Sequence, residues 1–332
     1  MTEPVPSAGA IAPIANLNEI TTPRRDLITD AWFRLTKNKG AVAGMVVIAL
    51  FILLAIFADK IAPHNPLQLN SGHDFLPPFW VEKSSAGKTG DPSFIFGTDT
   101  LGRDVLSRTI YGARVSMVVG IFPTAVILIV GTLIGLYSGF KGGWIDNLLM
   151  RFTDVVYAFP DLLFFIIVMI SLRDTVIGQM LNGLFLLFLA LAIVNWVGVA
   201  RIVRGQVLSL REKEFVEAAR AIGAKNSRIM FKHILPNSLS PIIITAATTV
   251  PGMIITEAIL GYLGLGLRPS VNPQDFFLTS WGALLLDGQT AINAQPWALL
   301  FPAICVSLVV LAFTFLGDGL RDALDPRLQG TQ

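Results

Sequence analysis

The stretch VSMVVGIFPTAVILIVGTLIGLYS, residues 115–138, decides the fold of this 332-residue chain. It contains no charged residue, and it is long enough to cross a bilayer as a helix, which takes about 20 apolar residues. Inside lipid no water satisfies the backbone, so a single spanning segment of this kind must be helical. The rest of the sequence is therefore interpreted as that of a membrane protein.

The composition of the whole chain supports a lipid environment. Hydrophobic residues make up 53% of the chain and charged residues only 14%, whereas soluble domains carry about 25% charged residues. The net charge is only +2, so the total charge says nothing about nucleic acid, and no nucleic-acid partner is expected. The single cysteine, Cys305, excludes an internal disulfide framework, and three histidines without a Cys/His cluster predict no metal site.

Six segments are long and apolar enough, or nearly so, to span a membrane, which predicts an all-α membrane protein with about six transmembrane helices. They are residues 41–58, 115–138, 152–172, 183–200, 242–262 and 297–316. The third segment is interrupted in its first half by Asp154, Pro160 and Asp161. Arg151 lies one helical turn before Asp154 and is its expected local partner.

The predicted organisation follows these spans. Residues 1–40 form a tail, disordered over 1–22, with an interfacial helix over 24–39. Residues 41–62 form the first transmembrane helix, 63–112 an extracytoplasmic loop, 113–318 the core domain with a polar loop at 201–237, and 319–332 a C-terminal tail. Most of the 25 Lys and Arg residues fall on the side of the N-terminus. The positive-inside rule therefore predicts that both termini are cytoplasmic.

The polar loop contains the sequence EAARAIGAKNSRIMFKHILPN, residues 217–237. A helix over 206–222 would carry Phe215, Ala218, Ala219 and Ile222 on one face, because they follow the i, i+3, i+4, i+7 rule. Periodicity alone describes an ordinary surface helix. The chain offers no nearby soluble domain to cover this face, however, and an exposed apolar face favours a partner site.

Two residues of the loop predict where its helices end. Gly223 suits the left-handed position that follows a helix C-terminus. A second short helix over 226–234 is expected to stop before Pro236, because proline disfavours the helical conformation of the residue before it.

The pattern Glu-Ala-Ala, three residues, Gly, eleven residues and Leu-Pro resembles the coupling loop of ABC importer permeases. The matching residues are Glu217, Ala218, Ala219, Gly223, Leu235 and Pro236. Further stretches resemble the same family in the same order: FGTDTLGRDVLSRTIYGARVS (96–116), GGWIDNLLMRFTDVVYAFP (142–160), EAILGYLGLGLRP (257–269) and GDGLRDALDPRL (317–328). Together they resemble the second, C-type, permease subunit of dipeptide, oligopeptide and nickel importers.

The resemblance implies a type I ABC importer transmembrane domain in a prokaryotic inner or plasma membrane. The expected function is binding-protein-dependent, ATP-driven import of di- or oligopeptides; nickel complexes, glutathione or another small solute remain open as cargo. The expected partners are a second permease subunit, two ATPase subunits that bind ATP and Mg²⁺, and an extracytoplasmic substrate-binding protein. Of the six matching loop residues, Glu217, Ala218, Ala219 and Gly223 would seat in a groove of one ATPase.

No catalytic site, cofactor or metal is predicted on this chain itself. The GKT at 87–89 lacks the first glycine of a phosphate-binding loop, because position 82 is Glu. A secondary transporter is the weaker alternative, since such proteins often contain internal repeats and none is evident here.

Three further residues are candidate sites outside the loop. Arg103 and Asp104 are expected to hold the extracytoplasmic elbow through an ion pair and backbone contacts. Glu257 lies within a predicted span, where an ionisable group costs about 2.5–3.5 kcal/mol, and belongs either to the transport path or to a structural polar network. The long outer stretches 63–96 and 268–280 form either a dock for the binding protein or variable loops.

Overall fold

The computed structural model of the chain describes residues 27–85 and 87–324. Within them the secondary structure is helical, apart from an isolated β-bridge between Thr98 and Asp104. The tail predicted over residues 1–22 and the last eight residues of the predicted C-terminal tail lie outside the described residues.

The helices of the described chain follow one another with short connections, except for the long segments between α3 and α4 and between α12 and α13. They are α1 (Leu27–Lys37), α2 (Lys39–Ile56), α3 (Ala58–Ile61), α4 (Val105–Lys141), α5 (Gly143–Tyr157), α6 (Asp161–Ser171), α7 (Val176–Gln179), α8 (Leu184–Leu210), α9 (Glu214–Ala221), α10 (Asn226–Arg228), α11 (Leu235–Asn237), α12 (Leu239–Tyr262), α13 (Trp281–Thr290) and α14 (Pro296–Leu324). A 3₁₀ turn (Met180–Gly183) precedes α8, and a π-helical stretch (Ile229–Ile234) joins α10 to α11.

Five spans in the described chain are long and apolar enough to cross a membrane: α2, α4, the segment Val176–Leu210 that runs from α7 through α8, α12 and α14. Helices α5 and α6 meet at a 75° bend and make a sixth span if they are counted together. The bend lies at the interruption noted in the sequence, where Pro160 precedes the first residue of α6. The prediction of an all-helical protein with about six spans is therefore confirmed.

The spanning helices are longer than their apolar segments. Helix α4 begins at Val105, inside the range 63–112 assigned to the outer loop, and α14 continues to Leu324, beyond 318. Helix α8 continues to Leu210, inside the predicted polar loop. The helices therefore extend beyond the apolar segments, because a helix ends at a backbone cap and not where its apolar residues end.

Helices α4 and α8 form the centre of the bundle through close backbone contact. Gly131, Gly135 and Gly139 recur every fourth residue of α4 and face α8. A Cβ atom at position 135 would lie 2.4 Å from the carbonyl oxygen of Ala200. Small residues at such spacing let two helices in a membrane approach until their backbones touch. Around this contact lies the largest cluster of buried side chains, which includes Leu136 and Val203.

A second packing layer joins α2, α12, α13 and α14 to the start of α4. Trp281, the first residue of α13, is fully buried, and its indole N–H donates a 2.9 Å hydrogen bond to the carbonyl of Thr109. Helix α13 was not predicted from the sequence. At the other end, Leu35 of α1 packs against Ala41 and Ala323.

Candidate functional site

The polar loop folds as the short helix α9 at one end of the bundle, between the last turn of α8 and the first turn of α12. Val216 and Ala219 are buried and belong to the main core, together with Ile229 and Ile234 of the π-helical stretch. This contact fixes α9 against the bundle, so that its opposite face points away from the protein.

The outward face of α9 is apolar in part. Phe215 is 39% exposed and Ile222 is 85% exposed, and the side chains of Glu217 and Ala218 are also exposed. The predicted apolar face of Phe215, Ala218, Ala219 and Ile222 is wrong at one residue, because Ala219 points inward with Val216. The helix was predicted as continuous over 206–222, but α8 ends at Leu210 and α9 begins only at Glu214.

The C-terminus of α9 is closed by a Schellman motif. Gly223 has a φ of +79°, and its N–H donates to the carbonyl of Arg220 at 2.9 Å. The N–H of Ala224 donates to the carbonyl of Ala219 at 3.0 Å. These two bonds satisfy carbonyls that a helix end leaves free. The prediction that Gly223 takes the left-handed conformation is confirmed.

The predicted stop before Pro236 is wrong, because the helical conformation continues through Pro236 into α12. Leu235 is half-buried and helical at φ −56° and ψ −45°. Pro236 has no N–H to donate, and the preceding π-helical stretch changes the hydrogen-bond register before it. Side chains satisfy the nearby carbonyls: Asn237 donates to that of His233 at 2.6 Å, and the Ser238 hydroxyl to that of Ile234 at 3.0 Å.

Near α9, arginine side chains at the end of α8 form hydrogen bonds with α4 and α5. Arg204 donates to both carboxylate oxygens of Asp146, and Arg211 donates to the carbonyl of Gly139 at 3.1 Å. Asp154, whose expected partner was Arg151, instead pairs with Arg201 at 2.7 Å. The sequence carried no local signal for these pairs, because their members lie on different helices.

The predicted elbow residues lie at the opposite end of the bundle. Arg103 pairs with Asp99 through Nε at 2.7 Å, and Asp104 caps α4 by accepting a 2.9 Å hydrogen bond from the N–H of Ser107. Sequence reasoning missed the buried Arg108, which bridges Asp99 at 2.5 Å and Asp287 of α13 at 2.9 Å. Ion pairs therefore join the residues of the elbow to one another and also join the elbow to α13.

Glu257 is fully buried where α4, α12 and the start of α13 meet. Its Oε2 accepts a 3.1 Å hydrogen bond from the hydroxyl of Ser116, and its Oε1 has no hydrogen-bond partner within the described chain. The bond to Ser116 connects α12 to α4, and the role of Glu257 in the transport path or in a structural network stays a prediction.

The two long outer stretches are folded against the same end of the bundle. In the first, the carbonyl of Leu76 accepts a 2.7 Å hydrogen bond from Gln295, and Phe96 stacks on Phe301 at 3.8 Å. In the second, Asn182 donates to Asp275 at 3.1 Å. Hydrogen bonds from Ser270 first, and then from Asn182, hold the pKa of Asp275 below its usual value. Both stretches are therefore held by defined contacts.

A bundle of five or six spans with a short helix displayed at one end is the architecture of a multi-pass membrane protein. The same fold occurs in a solved structure, the inward-facing MetNI methionine ABC transporter. The TM-score is 0.51 at 18% identity, and the match covers 66% of this chain and 96% of that chain. This likeness concerns the fold alone.

The chain belongs to the family of binding-protein-dependent transport system inner membrane components. The family profile with that description matches residues 131–330, and the profile for the N-terminal TM domain of oligopeptide transport permease C matches residues 27–78. The chain is thus the permease component of its importer, located in the inner membrane, and not the catalytic one.

Named relatives resemble the chain over nearly its whole length. The oligopeptide transport system permease protein OppC of Bacillus subtilis is 39% identical, over 96% of each chain. The dipeptide transport system permease protein DppC of Alkalihalophilus pseudofirmus is 42% identical over 90% of each chain. The OppC of Escherichia coli K12 is 41% identical, over 91% of this chain and 92% of the relative.

Proposed function

We propose that this chain is one of two permease subunits of an ATP-driven importer for di- or oligopeptides. Relatives about 40% identical over nearly the whole chain carry oligopeptide or dipeptide permease names, which supports this cargo. Nickel complexes, glutathione and other small solutes are the alternative cargo, since the binding protein that selects the substrate is a separate chain.

The observation that carries the coupling proposal is the two-sided character of α9. Its inner face is anchored in the core through Val216 and Ala219, while Phe215 and Ile222 are exposed at the end of the bundle. An apolar face that is rigidly held and uncovered fits an element that transmits force from another protein. We assign this end to the cytoplasm and its occupant to an ATPase subunit.

In this mechanism the ATPases change the permease by binding one of its states more tightly than the other. Glu217 and Ala218 contact the ATPase groove, and Ala219 and Gly223 hold the helix that presents them. Leu235 and Pro236 form the connection into α12, so movement of α9 reaches a membrane span directly. ATP and Mg²⁺ are bound by the partners, and no cofactor is held by this chain.

The opposite end of the bundle receives the substrate in this proposal. A binding protein docks on the outer stretches 63–96 and 268–280, near the elbow formed by Arg103 and Asp104. A second permease subunit completes the translocation path, because five or six spans are too few to enclose a generous path by themselves. Deletion of residues 82–91 tests the docking role, and undiminished delivery by the binding protein would contradict it.

Affinity purification of the full chain from its native membrane, followed by mass spectrometry, tests the assembly. We expect an ATPase pair, a second permease and a binding protein to be recovered with it. Recovery of the chain alone in several detergents would contradict the proposed function and favour a self-sufficient transporter. Uptake of labelled peptides, compared with nickel and glutathione, then identifies the cargo.

The substitution Ile222→Asp tests the assignment of α9. The exposed side chain is not needed for folding, so the protein should insert normally but lose the ATPase subunits and transport. Ser209→Asp adds the same charge to an exposed position of α8 at the same end and is the control. Normal ATPase recovery with Ile222→Asp would show that the coupling element lies elsewhere.

A further inference from the structure

Charged side chains are exposed on the surface that α5, α6 and α8 form in the membrane-spanning part of the bundle. Arg201 of α8 pairs with Asp154 of α5 at 2.7 Å, and the two side chains are 39% and 66% exposed. The ring centre of Tyr157, which is also exposed, lies 4.5 Å from the guanidinium carbon of Arg201. Asp161, the first residue of α6, is exposed, and its carboxylate has no partner within the described chain. These four residues form the charged face.

The charged face lies within the membrane-spanning part of the chain. Ala200, the neighbour of Arg201, is in backbone contact with Gly135 of α4. Helix α4 carries no charged residue over 115–140, so Arg201 is level with a point about 9 Å inside this uncharged stretch. Asp161 lies at the bend between α5 and α6, in the interior of the span that these two helices make together. Ionisable groups at such positions almost always face water or other protein groups, because lipid does not solvate them.

The backbone is also interrupted at the charged face. Residues 158–160, between α5 and α6, are exposed, and α6 begins without a side-chain cap. The first N–H groups and the last carbonyl groups of a helix have no partner inside the helix. Non-helical backbone at membrane depth occurs only where protein covers it or where it borders water. The break is thus a second, independent observation that excludes lipid as the neighbour of this face.

Water satisfies all of these groups at once. The guanidinium of Arg201 has five N–H donors, but within the described chain it makes one hydrogen bond, from Nη2 to Asp154. The carboxylate of Asp161 needs donors, and the break needs both donors and acceptors. A partner chain would have to supply each of these groups and would also remove an ion pair from water, which is costly unless the new geometry is excellent. An aqueous neighbour is therefore favoured over a covering protein.

We propose that the charged face, with the break beside it, is a wall of the aqueous path through which the substrate passes. The inference rests on the proposed function, because only a transporter needs such a path. The face presents one cation and two carboxylates. It therefore suits water-soluble solutes that carry charges of both signs, as a peptide with ionised termini does.

Thiol accessibility in the complete complex tests the wall. Cys305→Ala first removes the single native thiol. Ala158→Cys or Asp161→Cys then places one thiol in the wall, and the two variants check each other if one of them assembles poorly. Leu133→Cys is the matched control. Leu133 is 48% exposed on α4 and lies two residues before Gly135, on the opposite face of the helix from α8.

The complexes are held in lipid nanodiscs and treated with a negatively charged thiosulfonate, and labelling is followed by mass spectrometry. Because a charged reagent enters hydrocarbon only at high cost, we expect the wall thiols to react on the order of 100-fold faster than the control. Labelling of both wall variants at the control rate would overturn the proposal, since lipid or a partner chain would then cover the face.

Uptake separates the transport path from any other water-filled surface. The Ala158→Cys complex, before and after modification, is placed in vesicles with the binding protein, ATP and a labelled alanine tripeptide. We expect modification to abolish uptake, because the added group narrows the path, whereas the same treatment of Leu133→Cys leaves uptake unchanged. Complete labelling of Ala158→Cys with undiminished uptake would overturn the wall. Failure of the unmodified chain to take up the tripeptide would count against the proposed cargo instead, and the labelling rates would still report whether the charged face is in water.

Discussion

Arg204 of α8 donates two hydrogen bonds of 2.6 Å, one to each carboxylate oxygen of Asp146 in α5. The Asp146 side chain is only 9% exposed and that of Arg204 is 32% exposed; the hydroxyl of Ser138 in α4 also donates to Asp146. Three helices therefore meet at one carboxylate, close to the point where α8 leads into α9. The same two helices also carry an exposed pair, Arg201 and Asp154.

Asp146→Ala should destabilise the chain by about 1–3 kcal/mol, because it leaves a partly buried guanidinium without its acceptors. Asp154→Ala removes a pair that is 39% and 66% exposed, and such pairs contribute about 0–1 kcal/mol. The unfolding of both variants in the same detergent measures the contrast. Equal losses of stability in the two variants would show that the burial of the Asp146–Arg204 pair does not increase its contribution to stability.

Gly135→Ala should separate α4 from α8. The added Cβ would lie 2.4 Å from a backbone oxygen that cannot rotate away, and overpacking of this kind costs about 1–3 kcal/mol. Gly198→Ala adds the same methyl group to α8 where no atom lies within 4 Å. We expect this control to be neutral or stabilising by up to about 1 kcal/mol. The unfolding midpoints of the two variants test this prediction. An unchanged midpoint for Gly135→Ala would mean that the two helices are not in direct backbone contact.

Gly223→Ala should weaken the end of α9 through backbone strain and not through a steric clash. No atom lies within 4 Å of the added Cβ, but φ is +79°, and the left-handed conformation costs an L-residue about 1–2 kcal/mol. Hydrogen exchange of the α9 amides should become faster, and ATPase stimulation should decrease. Gly205→Ala, also in open space but without positive φ, is the control. Unchanged exchange in α9 after Gly223→Ala would exclude the Schellman motif as its anchor.

The stability that Asp59 contributes should depend on pH below about 5, where carboxyl groups begin to bind protons. Hydrogen bonds from Arg114 first, and then from Tyr111, hold the pKa of Asp59 below its usual value of 3.8. Because the pKa of Asp59 is lower in the folded state, its contribution to stability is fully present at pH values above its pKa in the unfolded state. That contribution is lost as the pH falls through its pKa in the folded state. The difference in unfolding midpoint between the unmodified chain and Asp59→Asn should therefore be constant above pH 5 and shrink below it. A difference in midpoint that grows as the pH falls would show that folding does not lower the pKa of Asp59.

Local patterns in the sequence predicted most of the fold. A run of apolar residues and its length are properties of one segment, so the spans were found, and the interruption around Pro160 coincides with the bend between α5 and α6. Gly223 was also placed correctly, because a helix C-terminus favours glycine at a left-handed position whatever packs around it. Helix α13 was missed, since it is short and its burial depends on Thr109 and other distant residues.

The chain's own residue order thus determined which segments enter the membrane and where the polar loop lies between them. Folding decided which charged groups meet: Asp154 pairs with Arg201, 47 residues away, and not with Arg151 one turn before it. Folding also buried Ala219 together with Val216 in the main core. Hydrophobicity is a property of each residue, so a short window of sequence is enough to identify an apolar segment. An ion pair or a buried face exists only after distant helices have packed and their relative rotation is set.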